Sequence, residues 1–542
     1  MAIWSPLFLC SGELMPFIFC KLLVKTNFIP TMILSKGIKI FIFASVFLLA
    51  SCHSLVLDNP ENSSTIEDFF SNDEDILSYA GSAFRTLHNA MQEYDGPALP
   101  MGVMADQNTC SWGMVGVKDL SSEPRMGFIN STSYSYYPLV RDFWINCYQS
   151  VSVANDLLNF SAEINEGSAN WDIDTEMLKA WGYFISGVAH GYLGLTYDKA
   201  NIVSENPENN SLEYVPWQRM IDYSLELLDR SIDLAESIPF EIPMEWMGGE
   251  TYTNTELAEL ASSYAARILS YSSRNRKHNT AIDWNRVLNY AKNGIKKDLA
   301  PVMGDAYDFY DYYLVYSIYP GWERIDHRII NLMDPDYPSR WPMDGVSWTT
   351  PDRKDPGEAS SVDARLASDF QYLESNEFRP DRGYYHFSHY RLKRYDDFIS
   401  RVWYGDIPHA SFLVWENKLL IAEAQLRLGN ASAALAILND PAGTRKVRGN
   451  LPDLNTTDAE EIFWTIFYER DVELINTGMG ISYFDMRRRD MLQRGTILHF
   501  PVPAGELMIT RDEVYTIGGI PDSENVSNGS WTGLDGLTSP IQ

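Results

Sequence analysis

Residues 422–438 read AEAQLRLGNASAALAIL. Ala422, Ala424, Gly429, Ala433, Ala434 and Ala436 are small residues set where two helices have to approach closely, one over 410–430 and the next over 431–440. Three other stretches carry amphipathic patterns in pairs: 177–197 with 215–238, 255–273 with 283–295, and 457–478 with 481–492. In the first of these, Ala180, Tyr183, Phe184, Gly187 and His190 recur at helical spacing. The reading is a mostly all-α fold with helical pairs near 177–238, 255–295, 410–440 and 457–492.

Each pair is similar to a tetratricopeptide unit, whose two helices stack because neither can bury its apolar face alone. A plain helical bundle is the alternative. Two stretches break the pattern, near 95–148 and near 300–407, where Pro, Gly, Asp and aromatic residues dominate. Loops of that length usually carry function. Within the second, residues 305–322 read DAYDFYDYYLVYSIYPGW, with eight aromatic rings in eighteen residues. A helix would put Phe309, Tyr312, Tyr313, Tyr316 and Tyr319 on one stripe, and a strand would put Tyr310, Tyr312 and Tyr316 on one face. Either way the interior positions read as core. Trp322, after Pro320-Gly321, and Trp341 and Trp348, beside Pro342 and Gly345, sit in loop chemistry that can turn rings outward.

The 542 residues carry a formal net charge of -30, a field that repels polyanions and argues against nucleic acid as a partner. It also weakly disfavours sulfated or uronic polymers. Aromatic content is 13%, much of it tyrosine, whose polar tip tolerates half-exposed positions. Cys110 and Cys147 fit neither a zinc-ligand spacing nor a CxxC pair. A buried thiol pair is the expectation and a disulfide the alternative.

From Met32, Lys36 and Lys39 precede an apolar run over residues 40–50, the layout of a secretory signal. Residues 1–31 read as an over-extended start, so 1–51 is an address and 52–542 a single body. Leu49-Ala50-Ser51-Cys52 resembles the lipobox of bacterial lipoproteins, in which the cysteine is lipidated. An ordinary signal peptide is the alternative. Several acyl chains, at about 0.8 kcal/mol per buried methylene, would tether such a protein durably.

The likeness extends along the chain. Leu57, Asp58 and Pro60 followed by Phe69 and Phe70, the helical run over 177–197, and YERDVELINTGMGISYFDMRRRD at 468–490 together resemble the SusD/RagB family of outer-membrane nutrient-binding lipoproteins. In the last segment Glu469, Arg470, Glu473, Leu474, Gly478, Asp485, Arg487 and Arg488 match the family pattern. Thr477 replaces an acid, two extra residues precede Asp485, and the turn lacks an arginine. Gly187 stands near another usual arginine. Pro501, Pro503 and Glu506 match the closing segment. The resemblance implies a tetratricopeptide-like scaffold whose irregular insertions bind the ligand. It also implies a SusC-like TonB-dependent transporter as partner, with the lipid-anchored protein as a lid on the outer membrane.

No HExxH, GxSxG, P-loop or strand-to-helix GxGxxG is present, and the histidines do not cluster at metal-ligand spacing. We expect no catalytic residue, metal or cofactor. An all-helical glycoside hydrolase of the toroid kind and a repeat scaffold binding only proteins are the alternatives. A sugar site needs flat rings for C–H faces and polar groups for hydroxyls. The two insertions have both, in Trp112, Trp322, Trp341 and Trp348 with Asp106, Asn108 and Arg340 as polar partners. The expected cargo is an oligo- or polysaccharide, with a peptide as the alternative.

Overall fold

Side-chain caps start several of the scaffold helices where the apolar periods begin. The computed structural model describes residues 70, 72–110, 113–165, 171–206, 208, 210, 211, 213–304, 308–337, 357–376, 387–399, 407–519 and 525–529, all within the unit Thr65–Gln542. The expected signal segment and Cys52 lie outside the described residues.

The scaffold helices are α1 (Asp73–Gln92), α2 (Pro138–Asn165), α3 (Thr175–Thr196), α4 (Trp217–Ser237), α5 (Asn254–Tyr271), α6 (Trp284–Lys292), α7 (Val414–Arg427), α8 (Ala431–Leu438), α9 (Ala459–Glu473) and α10 (Ile481–Arg487). Asp174 caps α3 and Asp458 caps α9 by accepting first-turn N–H groups. Thr253 and Glu256 form a reciprocal capping box at α5. Gly429, at φ +85, supplies the left-handed residue that ends α7 and lets the chain turn into α8. Neighbours in sequence pack on one another from α1 through α6, and α7 continues the stack against α5, α6, α8 and α9. The strands among the described residues are two or three residues long and pair in twos. The fold is all-α in class.

Close packing explains one departure from the family pattern. A Cβ at Gly187 of α3 would sit 2.8 Å from Leu228 Cγ of α4, so an arginine there has no room. Helix α2 differs from expectation, since its 28 residues begin inside the stretch read as irregular. Its buried face of Val140, Phe143, Trp144, Cys147 and Val151 is helical in period, but its aromatic content reads like the loop before it. Cys147 on that helix is a free, buried thiol, so the disulfide alternative falls.

The segment at 468–490 locks the scaffold. Glu423 of α7 receives both ends of the Arg488 guanidinium at 2.7 and 2.6 Å, and Asp485 joins Arg470 at 2.6 Å and Arg488 at 2.7 Å. Arg365 binds Asp363, Glu469 and Glu473. Arg487 instead donates to main-chain carbonyls of Leu195, Leu498 and Tyr271 at 2.8, 2.8 and 2.9 Å. Thr477, where the family has an acid, turns its hydroxyl onto the Leu474 carbonyl. All these charges are buried, so each is held by partners whose removal would leave a bare charge in the interior.

Candidate functional site

The two insertions meet in a short antiparallel ladder, Asn108–Cys110 with Glu323–Ile325, in which Asn108 faces Ile325 and Thr109 faces Arg324. Asp326 N–H also donates to the Gln107 carbonyl at 3.0 Å. This ladder fixes the position of the aromatic stretch. Asp311 caps the helix Tyr312–Ile318 by accepting from Leu314 N–H at 2.7 Å, and Pro320-Gly321 ends the run. Burial pushes the Asp311 carboxyl up to about 7, and His409, pushed down to about 4 by burial, lies 3.6 Å away.

The turn after that helix makes a platform. Trp322 N–H donates to the Tyr319 carbonyl at 3.1 Å across Pro320-Gly321, a tight turn that brings residues three apart together. Their rings consequently stack, with centroids 4.5 Å apart and planes 27° from parallel. Arg324 holds the turn through the Pro320 carbonyl, and among the described residues nothing lies within 4 Å of where a Cβ at Gly321 would sit. The rings continue as a ladder: Trp322 to Tyr316 at 5.7 Å, Tyr316 to Tyr312 at 6.4 Å, and Tyr312 edge-on to Tyr94 at 4.9 Å. Tyr316 is buried, while Tyr312, Tyr319 and Trp322 are half-buried and Tyr94 is 40% exposed. Core packing anchors the row and leaves ring surface outside.

Polar groups stand along this row. Arg391 donates to the Ile318 carbonyl and grips Asp396 with two bonds of 2.7 Å, and the Asp396 side chain is 40% exposed. Beside Tyr94 in the chain, burial, with help from Asp142 and Asp95, pushes the Glu93 carboxyl up to about 7, and Asn146 donates to it at 3.3 Å. Such groups can exchange hydrogen bonds with hydroxyls.

Not every expected residue belongs to this surface. Asp106 is buried against Arg125 at 2.8 Å, and Asn108 is buried, donating to Glu323 at 2.7 Å and Ser317 at 3.2 Å. Both were expected to read hydroxyls; the Asn108 side chain instead joins the two insertions, and that of Asp106 pairs within the first. Burial pushes the Glu323 carboxyl up to about 8. Trp112, Arg340, Trp341 and Trp348 lie outside the described residues. Tyr313 and Phe309 are buried as core, and the helical stripe is the one the chain adopts over 312–318. Tyr94 was missed, although the Asp95-Gly96-Pro97 turn beside it is the same kind of signal as Pro320-Gly321.

This architecture has solved counterparts. A SusD superfamily protein from Parabacteroides distasonis matches at 13% identity and a TM-score of 0.56, over 83% of this chain and 100% of its own. Surface glycan-binding protein A from Bacteroides uniformis matches at 15% identity and a TM-score of 0.53, over 82% and 99%. The chain has the SusD-like fold. A SusD superfamily protein from Bacteroides vulgatus gives the same answer at 15% identity, a TM-score of 0.52, and coverage of 81% and 97%. No family model matches the chain, and no curated protein matches it. In this SusD-like fold the helical pairs form the frame, and the Tyr94-to-Trp322 row lies where the two irregular insertions join. Among the described residues no helix is long and apolar enough to cross a membrane.

Proposed function

We propose that this protein is a non-catalytic cell-surface glycan-binding lipoprotein, anchored at the outer membrane through Cys52, that captures oligosaccharide and passes it to a SusC-like TonB-dependent transporter. The observation that carries the binding reading is the half-exposed Tyr319–Trp322 stack on a tight turn, continued by half-exposed rings to Tyr94. Sugar rings lay C–H faces on such platforms, and carboxylate, amide and guanidinium groups at the edge take their hydroxyls. A glycan-binding protein among the structural counterparts supports the same reading. Trp112, Arg340, Trp341 and Trp348 would extend the platform from the same insertions.

Affinity electrophoresis against neutral and acidic polysaccharides tests this, with Trp322→Ala and Tyr94→Ala beside the parent. One stacked ring is worth about 1 kcal/mol, roughly a fivefold loss of affinity for each variant. Tyr94 is the safer of the two to truncate because it is the more exposed. If both variants fold and bind glycans like the parent, the platform reading fails. Release of reducing ends from a bound glycan would show an enzyme instead.

A further inference from the structure

A cleft of about 610 Å³ opens in the second insertion, lined among others by Glu358, Ser360, Phe370, Gln371, Tyr372 and Lys393. Its volume is in the range of small-molecule sites. Tyr372 stacks on His389 at 5.4 Å and 16° and meets Tyr390 edge-on at 5.4 Å, so packing from behind holds its ring steady.

The charges around this cleft are unevenly satisfied. Arg365 is paired with Asp363, Glu469 and Glu473, Arg391 with Asp396, Arg394 with Glu473, and Arg448 with Asp369 and Glu473. Lys393 sits between Arg391 and Arg394 in the chain and is half-buried, yet its ammonium makes no hydrogen bond or ion pair with any described residue. Among the described residues that line the cleft it is the only cation. Of the two carboxylates among those described residues, Asp363 is occupied by Arg365 and the Tyr468 hydroxyl, while Glu358 is exposed at the rim and can accept from hydroxyls.

We infer that this cleft is a second binding site, for a sugar bearing one carboxylate: Lys393 pairs with the carboxylate of a terminal uronic acid, Tyr372 takes its C–H face, and Glu358 and Ser360 take hydroxyls. The choice of a sugar rests on the reading above, whereas the unpartnered ammonium in a cleft does not. The net charge of -30 opposes this only at long range. Salt screens fields beyond about 8 Å, so a short uronic-acid end feels Lys393 more than the distant surface.

Saturation-transfer NMR with methyl glucuronoside and methyl galacturonoside, each beside its neutral hexoside, tests the inference on the full chain. The uronides should bind several-fold better than the hexosides, and Lys393→Met should weaken uronide binding about tenfold. Lys393→Arg should retain most of it. Trp322→Ala should leave uronide binding unchanged, which separates this cleft from the aromatic row. Uronides that bind no better than hexosides, or a folded Lys393→Met that binds them like the parent, would overturn the inference. So would uronide binding lost in Trp322→Ala and kept in Lys393→Met, since the acid then sits on the other site.

Discussion

Replacing Glu423 by Gln keeps the side chain's shape and removes the charge that holds Arg488 from both ends, with Arg427 and Arg489 also leaning on it at 2.9 and 3.3 Å. Glu423 and Arg488 are fully buried. Taking one partner from a buried pair costs about 3–5 kcal/mol, because the remaining charge stays desolvated. A domain of this size unfolds with an entropy of roughly 1 kcal/mol/K, so the melting temperature should fall by about 3–5 °C. The pH dependence has a definite sign. Burial alone would raise the Glu423 carboxyl, but Arg488, Arg489 and Arg427 together hold it well below its ordinary value. The stability from this group is therefore present at neutral pH and is lost as pH falls through that lowered value. Calorimetric scans at one rate, at pH 7 and at progressively acidic pH, should show the gap between parent and variant narrow on acidification. Lys296→Ala is the control, because its pairing with Glu259 is 79% exposed on the lysine side and should contribute under about 1 kcal/mol. A Glu423→Gln variant that melts no lower than this control would refute the locking role of the 468–490 segment.

Glu323 should act in the opposite direction. Its folded carboxyl, raised by burial from 4.5 to about 8, keeps a proton that the unfolded chain releases, so stability falls as pH rises from about 4.5 to about 8. Glu323→Gln should lessen that slope in unfolding measured across this range, with the raised Asp311 and Glu93 carboxyls supplying part of what remains, and an unchanged slope would rule the group out. Gly187→Ala should destabilise by about 1–3 kcal/mol in denaturant titration, since the added carbon meets Leu228. Cys147, whose thiol burial pushes up, should react with a thiol reagent only as fast as the chain opens, so rapid labelling of the native protein at this position would contradict its placement.

Local patterns made part of this molecule legible. The apolar period and the break at Gly429-Asn430 are readable because a helix and its end depend on a few adjacent residues. Pro320-Gly321 likewise announced a turn able to present Trp322. The roles of Asp106 and Asn108 were not readable, because Asn108 finds Glu323 only 215 positions later, and nothing near either residue says that it will be buried. Lys393 was equally silent. Whether a lysine has a partner is decided by which arginines take the nearby carboxylates, and that is a property of the assembled insertion.

The reach of Arg487 makes closure of the fold depend on a residue near its far end. The carbonyl of Leu195 that it holds lies 292 residues earlier, and that of Tyr271 lies 216 residues earlier. Pairings so distant in the chain form late, because the loop between them must close before the contact rewards it. The ends of α3 and α5 are therefore sealed only once this segment has docked, whatever the order in which the helices formed. A truncation just before Arg487 removes about a tenth of the chain and leaves those buried carbonyls without their donor.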